Sequence, residues 1–536
     1  MFILKITYFS DLKKEFSGYN GSKFLGDLMA GITVAAVALP LALAFGVSSG
    51  ASAAAGMITA VLAGVIIAAL SGASYQISGP TGAMAAILIA VSAQYGVKGV
   101  MLAGFLSGII LLLISVLKIG RLVSYIPAPV ITGFTSGIAL VIAAGQIDNF
   151  FGTQSKGTGV IEKFQSYGEL GFNPDITTMC FGLGAMLIMI LWPKKLNSKV
   201  PGSLVAIIAA LVVNLIFNFP SVKVVGAIPQ TLFLEDRLTL SYFNTIDMKD
   251  IMAIVPTAFS IAALGMIESL LCGASAGKMK DEKLNADREL VAQGLGNIII
   301  PFFGGVPATA AIARTSVAIK SGQRTRLTSI IHSVILLAAM FLLGGVMSKI
   351  PLAALAGVLM VTAWRMNEWH LIKYFFKNKF YMAVIQFIVT MVVTLFFELT
   401  VAIIVGIAVS MLLFVVKSHI TVDVSEVGGG GHDNARIVYV EGPLFFGTQE
   451  KLFTELYKFE PHIDTLIISM RGVPTLDESV IEEFASFFGN LAQGGINVNF
   501  CGIVPDVKKM FDRSGLTQKL GEDKFHYDVI AAVKSL

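Results

Sequence analysis

From about residue 28 to residue 418 apolar runs recur along the chain, separated by turns, small basic clusters and two longer polar stretches at 147–175 and 219–250. An apolar run of about 18 or more residues is long enough to cross the roughly 30 Å hydrocarbon core of a bilayer as a helix. In hydrocarbon every backbone N–H and C=O must be satisfied inside the protein, so only helices or a closed barrel can span it. Run lengths of this size fit helices. Only 14% of the residues are charged, against about 25% in an ordinary soluble chain. The sequence therefore reads as an α-helical polytopic membrane protein.

Fourteen apolar segments can be delimited, at about 28–48, 52–70, 81–94, 99–117, 128–146, 176–193, 202–218, 251–274, 286–300, 308–320, 327–345, 351–364, 380–396 and 399–417. The third, tenth and twelfth are too short to span alone. Half-helices of that kind are tolerated where their irregular backbone is buried in protein or lines a cavity. Basic clusters check the count. Lys118 and Arg121 follow segment four, Lys194, Lys195 and Lys199 follow segment six, and Lys278, Lys280 and Lys283 follow segment eight. Lys320, Arg324 and Arg326 follow segment ten, and Arg365, Lys373, Lys377 and Lys379 follow segment twelve. All lie on the side of the even-numbered exits, which the positive-inside rule makes cytoplasmic together with both termini.

The two halves echo one another. GRLVSYIP at 120–127 recurs as GGVMSKIP at 344–351, and Gly133 and Gly357 each stand six residues beyond the shared proline. Such self-similarity argues for a duplicated unit. With seven segments per copy, the second copy enters the membrane inverted. The repeats fall at about 24–200 and 201–418.

Two stretches interrupt the apolar pattern at matching places. SGPTGAMAAI, at 78–87, and GGVPATAAIARTSVAIK, at 304–320, each carry a proline before a run of small residues. Pro307 lacks an N–H and suits the first position of a helix, so a helix is expected to begin there. The first N–H groups of a helix are unpaired and sit at the positive end of its dipole, which makes an anion site. Paired, interrupted segments in the two halves of a membrane protein mark a transporter's binding site. Thr81, Gly82 and Ala83 in one stretch and Ala308, Thr309 and Ala310 in the other are the expected contacts. Arg314 adds a full positive charge about 10 Å along its helix, at 1.5 Å per residue. Glu268 is a lone carboxyl in IAALGMIESLLCG, and a charge at bilayer depth costs a few kcal/mol even on lenient scales. It is read as a coupling residue that carries a proton.

After residue 418 the composition becomes that of a soluble domain. Residues 419–434, with Gly428–Gly431, read as a linker, since no strand precedes the glycines and no GK[ST] follows. From 435 to 536 strand-like and helix-like periods alternate, which gives a small α/β domain. Residues 1–27 read as a cytoplasmic amphipathic segment without a signal-peptide core. Cys180, Cys272 and Cys501 are isolated, so neither a disulfide framework nor a metal site is expected. No nucleophile–base pair points to an enzyme, and no cofactor or nucleic-acid partner is implied.

SGPTGAM, GGVPATAAIARTSVAIKSG, the fourteen segments and the C-terminal domain together resemble the SulP (sulfate permease) anion-transporter family over nearly the whole chain. The resemblance implies a seven-plus-seven inverted-repeat, uracil-permease-like fold of core and gate domains, with a C-terminal STAS domain. It implies a homodimer in the cell's inner (plasma) membrane, core movement against the gate, and small anions of the sulfate, bicarbonate or C4-dicarboxylate class. A cytoplasmic partner of the STAS domain is a further expectation. By motif, Phe45 matches an aromatic lining the site, Glu268 the family's acidic position and Arg314 its basic one. Leu41 stands where many eukaryotic members carry Gln. The Glu268–Arg314 combination points to proton-coupled symport. A sodium-coupled bicarbonate symporter and an uncoupled anion exchanger or channel are the alternatives. In the STAS-like domain Asp477 is followed by Glu478, and Asp477 reads as a helix N-cap.

Overall fold

A computed structural model describes residues 2–157, 159–193, 200–397, 399–421, 423–427, 434–458 and 462–536. Lys194, Lys195, Lys199 and the glycines of the 428–431 linker lie outside the described residues. The chain divides into two compact units, Met1–Ile407 and Ala408–Leu536, with the boundary inside the last long apolar helix.

Each of the fourteen apolar segments contributes helix, the first thirteen within the first unit and the fourteenth across the boundary. After a short helix α1 (Phe2–Glu15) come α2 (Gly21–Ser48), α3 (Ala53–Leu70), α4 (Gly82–Val116) and α5 (Ala128–Gly145). Segments three and four are both within α4, divided at Gly96. Its φ of 69° and ψ of −179° break the helix, in a backbone region that glycine enters without a Cβ clash. Two short helices follow, α6 (Ile147–Phe151) and α7 (Val160–Leu170), then α8 (Ile176–Leu191) and α9 (Gly202–Phe217). The second half holds α10 (Met248–Lys280), α11 (Ala286–Ile299), α12 (Ile312–Lys320), α13 (Leu327–Met347) and α14 (Leu352–Met366). It ends with α15 (Tyr381–Phe396) and α16 (Leu399–Thr421).

Packing exposes the duplication. Segment five packs on segment thirteen, as α5 on α15, and segment twelve packs on segment six, as α14 on α8. Segment one packs on segment eleven, as α2 on α13, and segment eight packs on segment four, as α10 on α4. Each pair becomes the other when seven is added to one member and subtracted from its partner, which is the signature of an inverted repeat. The duplicated glycines do one job. A Cβ on Gly133 would strike the Phe387 carbonyl, and one on Gly357 would strike the Gly182 carbonyl. Small residues let membrane helices approach closely where no hydrophobic drive exists between them. The helices α2, α3, α4, α10, α11, α12 and α13 pack as one set, and α5, α8, α9, α14 and α15 pack as another.

The second unit carries a five-stranded sheet in the order β3 (Asp423–Val427), β4 (Ala435–Glu441), β5 (Thr465–Gly472), β6 (Asn497–Cys501), β7 (Phe525–His526). β3 is antiparallel to β4, and the remaining neighbours are parallel. The β4 and β5 runs are buried along nearly their whole length, as parallel strands covered by helices must be. Asp477 caps the helix Glu478–Gln493, accepting from the Val480 amide at 3.0 Å, and also accepts from the Phe446 amide at 2.9 Å.

Candidate functional site

The interrupted stretches meet as two short strands. β1 (Ser78–Gly79) runs antiparallel to β2 (Thr309–Ala310), with Ser78 opposite Ala310 and Gly79 opposite Thr309. The first half-helix opens at Gly82 under the cap of Thr81, whose hydroxyl accepts from the Met84 amide at 3.4 Å.

The second differs from expectation. No helix starts at Pro307; the chain stays extended through Ala310 and turns helical at Ile312. Side chains of the neighbouring helices hold it open. Asn297 accepts from the Ala308 amide at 2.7 Å and donates to the Ala308 carbonyl at 3.0 Å. Ser269 Oγ accepts from the Ala310 amide at 3.2 Å, and the Ala311 amide donates to the Ile77 carbonyl at 2.9 Å. Amides that pair this way cannot also face an anion. The open first turn is therefore that of α12, beginning at Ile312, where no side chain caps it and both Ile312 and Ala313 are exposed. Gly82 and Ile312 correspond at an offset of 230 residues, against 227 for Pro80 and Pro307. The paired prolines mark the matching stretches but not the start of the second half-helix. A lone Asn297 in the apolar run GLGNIII was the available sign of a backbone clamp.

Glu268 is brought to the crossing by α10. Its Oε2 accepts from Thr309 Oγ1 at 2.6 Å and from Thr81 Oγ1 at 2.9 Å. One carboxyl oxygen thus ties both halves of the chain. Arg314, 2% exposed, reaches back from α12 and donates through Nη2 to the Pro80 carbonyl at 3.0 Å. Among the described residues its buried Nη1 has no hydrogen-bond partner, and it packs so close to Gly79 that a Cβ there would lie 2.7 Å away. Among the described residues no ion pair joins Arg314 to Glu268.

Residues 24–390 match the sulfate permease family and residues 430–532 match the STAS domain family. The chain belongs to the sulfate permease family. It is 32% identical over 539 residues to the "Putative sulfate transporter YvdB" of Bacillus subtilis, covering 96% of this chain and 99% of that one. It is 29% identical over 492 residues to the "Bicarbonate transporter BicA" of a Picosynechococcus species, covering 85% and 86% of the two. Among solved structures, murine Slc26a9 in an inward-facing state aligns with a TM-score of 0.84 at 18% identity, over 96% of this chain and 92% of that one. The transmembrane domain of a cyanobacterial BicA aligns with a TM-score of 0.64 at 27% identity, over 73% and 98%. The fold is thus that of this permease family, with the inverted repeat and the STAS sheet described above.

In this sulfate permease family member a pocket of about 90 Å³ begins at the crossing. Of the sequence-derived site residues, Phe45 and Gly82 line it. A Cβ on Gly82 would meet the Ile142 side chain and come within 3.1 Å of the Phe45 ring, so the backbone and the aromatic are closely packed there. Ala83, Ala308, Thr309 and Arg314 are buried beside the crossing and do not line the pocket. Leu41 is also buried, on the helix that carries Phe45.

Proposed function

We propose that this protein is a secondary active transporter of small anions of the sulfate, bicarbonate or C4-dicarboxylate class, driven by proton symport. The observation that carries the proposal is the carboxyl of Glu268 held by Thr81 and Thr309, one residue from each inverted half. A proton on Glu268 removes a negative charge from the place where two half-helix starts converge, which favours an anion there. By linkage, the anion then favours the proton by the same factor. The open first turn at Ile312 and the Thr81–Gly82 turn supply dipole and amide donors. Arg314 supplies the positive charge, worth more in a low-dielectric interior than in water.

The helices that carry the crossing move as one body against those packed around α5 and α14, in an elevator-like step. The protein sits in the cell's inner (plasma) membrane as a homodimer, with both termini and the STAS domain cytoplasmic. The basic clusters after the even-numbered segments support that orientation. The STAS domain offers a surface for a cytoplasmic partner.

The test is uptake of labelled sulfate, bicarbonate and fumarate into proteoliposomes under an inward proton gradient, with and without sodium. Accumulation that follows pH supports the reading. Accumulation that follows sodium and ignores pH would replace it with a sodium-coupled bicarbonate symporter; the relative BicA is named a bicarbonate transporter. Flux that never runs uphill would make the protein an exchanger or channel.

A further inference from the structure

We infer that Lys163 forms an outer subsite for the transported anion, at the mouth of the pocket whose floor is Phe45 and Gly82. The inference rests on the transport reading and adds a second anion contact to it. The pocket is continuous from those two residues to Ser48, Gln146, Asn149 and Lys163. Among the described residues Lys163 is its one cationic lining residue. It stands on α7, the short helix that follows α6, and its side chain is only 13% exposed. A charge held in that partly desolvated rim acts on an approaching anion more strongly than one in open water.

Its present partners hold it loosely. The ammonium lies 3.6 Å from Asp148 Oδ2 and 3.5 Å from the Gly145 carbonyl. A charge-assisted N–H···O contact is usually about 2.7–2.9 Å long. Asp148 does not rest on the lysine alone. It accepts from Ser155 Oγ at 2.5 Å, Tyr167 OH at 2.9 Å and Thr153 Oγ1 at 3.2 Å. Those hydroxyls fix the carboxylate whether or not Lys163 stays, so an anion entering the pocket can take the ammonium from Asp148 without leaving that carboxylate bare. Beside it, the amides of Gln146 and Asn149 form a chain to Ser48, with Gln146 Nε2 donating to Ser48 Oγ at 3.0 Å and Asn149 Nδ2 donating to Gln146 Oε1 at 3.4 Å. The anion is passed from this rim to the helix starts below.

The experiment measures uptake kinetics in proteoliposomes with whichever of labelled sulfate, bicarbonate or fumarate the wild type takes up, at low and high ionic strength. Lys163→Gln is expected to raise KM roughly three- to tenfold with kcat little changed, and to flatten the fall of kcat/KM with salt, because steering by a fixed charge is what salt screens. Lys163→Arg restores the KM. Asp148→Asn, which removes the competing carboxylate and keeps an acceptor for the hydroxyls, lowers KM. An unchanged KM and salt slope in Lys163→Gln, with uptake lost in Arg314→Ala, would overturn the outer subsite and leave the inner site standing. An equal rise of KM in Asp148→Asn would also overturn it, since the pair would then be a brace for α7. If the wild type takes up none of the three anions, the transport reading itself fails and the outer subsite with it.

Discussion

The hydroxyls of Thr81 and Thr309, 228 residues apart in the chain, stand 3.4 Å from one another and share one oxygen of Glu268. A hydrogen bond to a charged group contributes about 1.5–3 kcal/mol. Thr309→Val keeps the shape of the side chain and removes the shorter of the two donors. It is expected to lower uptake at limiting substrate by roughly tenfold, since about 1.4 kcal/mol is a factor of ten. Thr81→Val also loses the helix cap and should cost more, including a lower melting temperature. Equal and negligible effects in both would mean that the shared oxygen plays no part in turnover.

Arg314 is predicted to be indispensable for affinity. Its guanidinium spans from the second half-helix to the Pro80 carbonyl of the first approach strand. Arg314→Ala removes both the charge and that brace, and substrate affinity should fall by well over tenfold, a loss of more than about 1.4 kcal/mol. Arg314→Lys keeps the charge but not the planar fork, and should recover only part of the loss. Isothermal titration of the purified variants with the transported anion decides it, and wild-type affinity in Arg314→Ala would remove Arg314 from the site.

Much of this arrangement is legible in the sequence alone. Segment count and repeat came from apolar run lengths and from paired prolines and glycines, because hydrocarbon imposes a length on every helix and close packing imposes small residues. Glu268 stood out because a lone carboxyl in an apolar helix is costly. The start of the second half-helix was not legible. Pro307 signals a helix start locally, but Asn297 and Ser269, on other helices, take the amides that a helix start would leave free. Local propensity yields there to tertiary hydrogen bonds. The partners of Arg314 and the buried network around Asp27 were equally out of reach, since they join residues hundreds of positions apart.

Asp27 shows how the halves are locked on the side where α2 begins. It is fully buried, and its two oxygens accept from the amides of Arg324 and Thr325 and from the hydroxyls of Thr325, Thr328 and Tyr19, at 2.6 to 2.9 Å. Asp27→Ala leaves those donors without their acceptor, three of them on the buried Thr325 and Thr328, and each buried group left unsatisfied costs about 1–3 kcal/mol. The variant is expected to melt several degrees lower in mild detergent, since about 2.1 cal/mol/K of unfolding entropy per residue makes each kcal/mol worth roughly 1 °C in a chain this long. Asp27→Asn, which keeps one acceptor oxygen, should lie between the two. A melting temperature unchanged in Asp27→Ala would show that water or neighbouring groups replace the carboxylate.

The last prediction concerns energy coupling. In the proposed cycle the proton and the anion bind together because an ionised Glu268 places a negative charge between Thr81 and Thr309, beside the open half-helix starts. Glu268→Gln mimics the neutral state permanently. Its carbonyl oxygen can still accept from both threonines, so the crossing should remain folded and the anion should still bind and exchange. What the glutamine cannot do is release a proton on the far side. The variant should therefore exchange substrate at rates within an order of magnitude of wild type, yet fail to concentrate it under an acid-outside gradient. Binding of the anion to wild type should take up protons from a weakly buffered solution, and binding to Glu268→Gln should not, because linkage makes the coupling reciprocal. Counterflow, uphill uptake and proton uptake on anion binding are measured on the same proteoliposome and detergent preparations. Proton uptake that persists in Glu268→Gln would move the coupling site elsewhere. Uphill accumulation equal to wild type would sever Glu268 from the coupling step while leaving it a structural tie between the two halves.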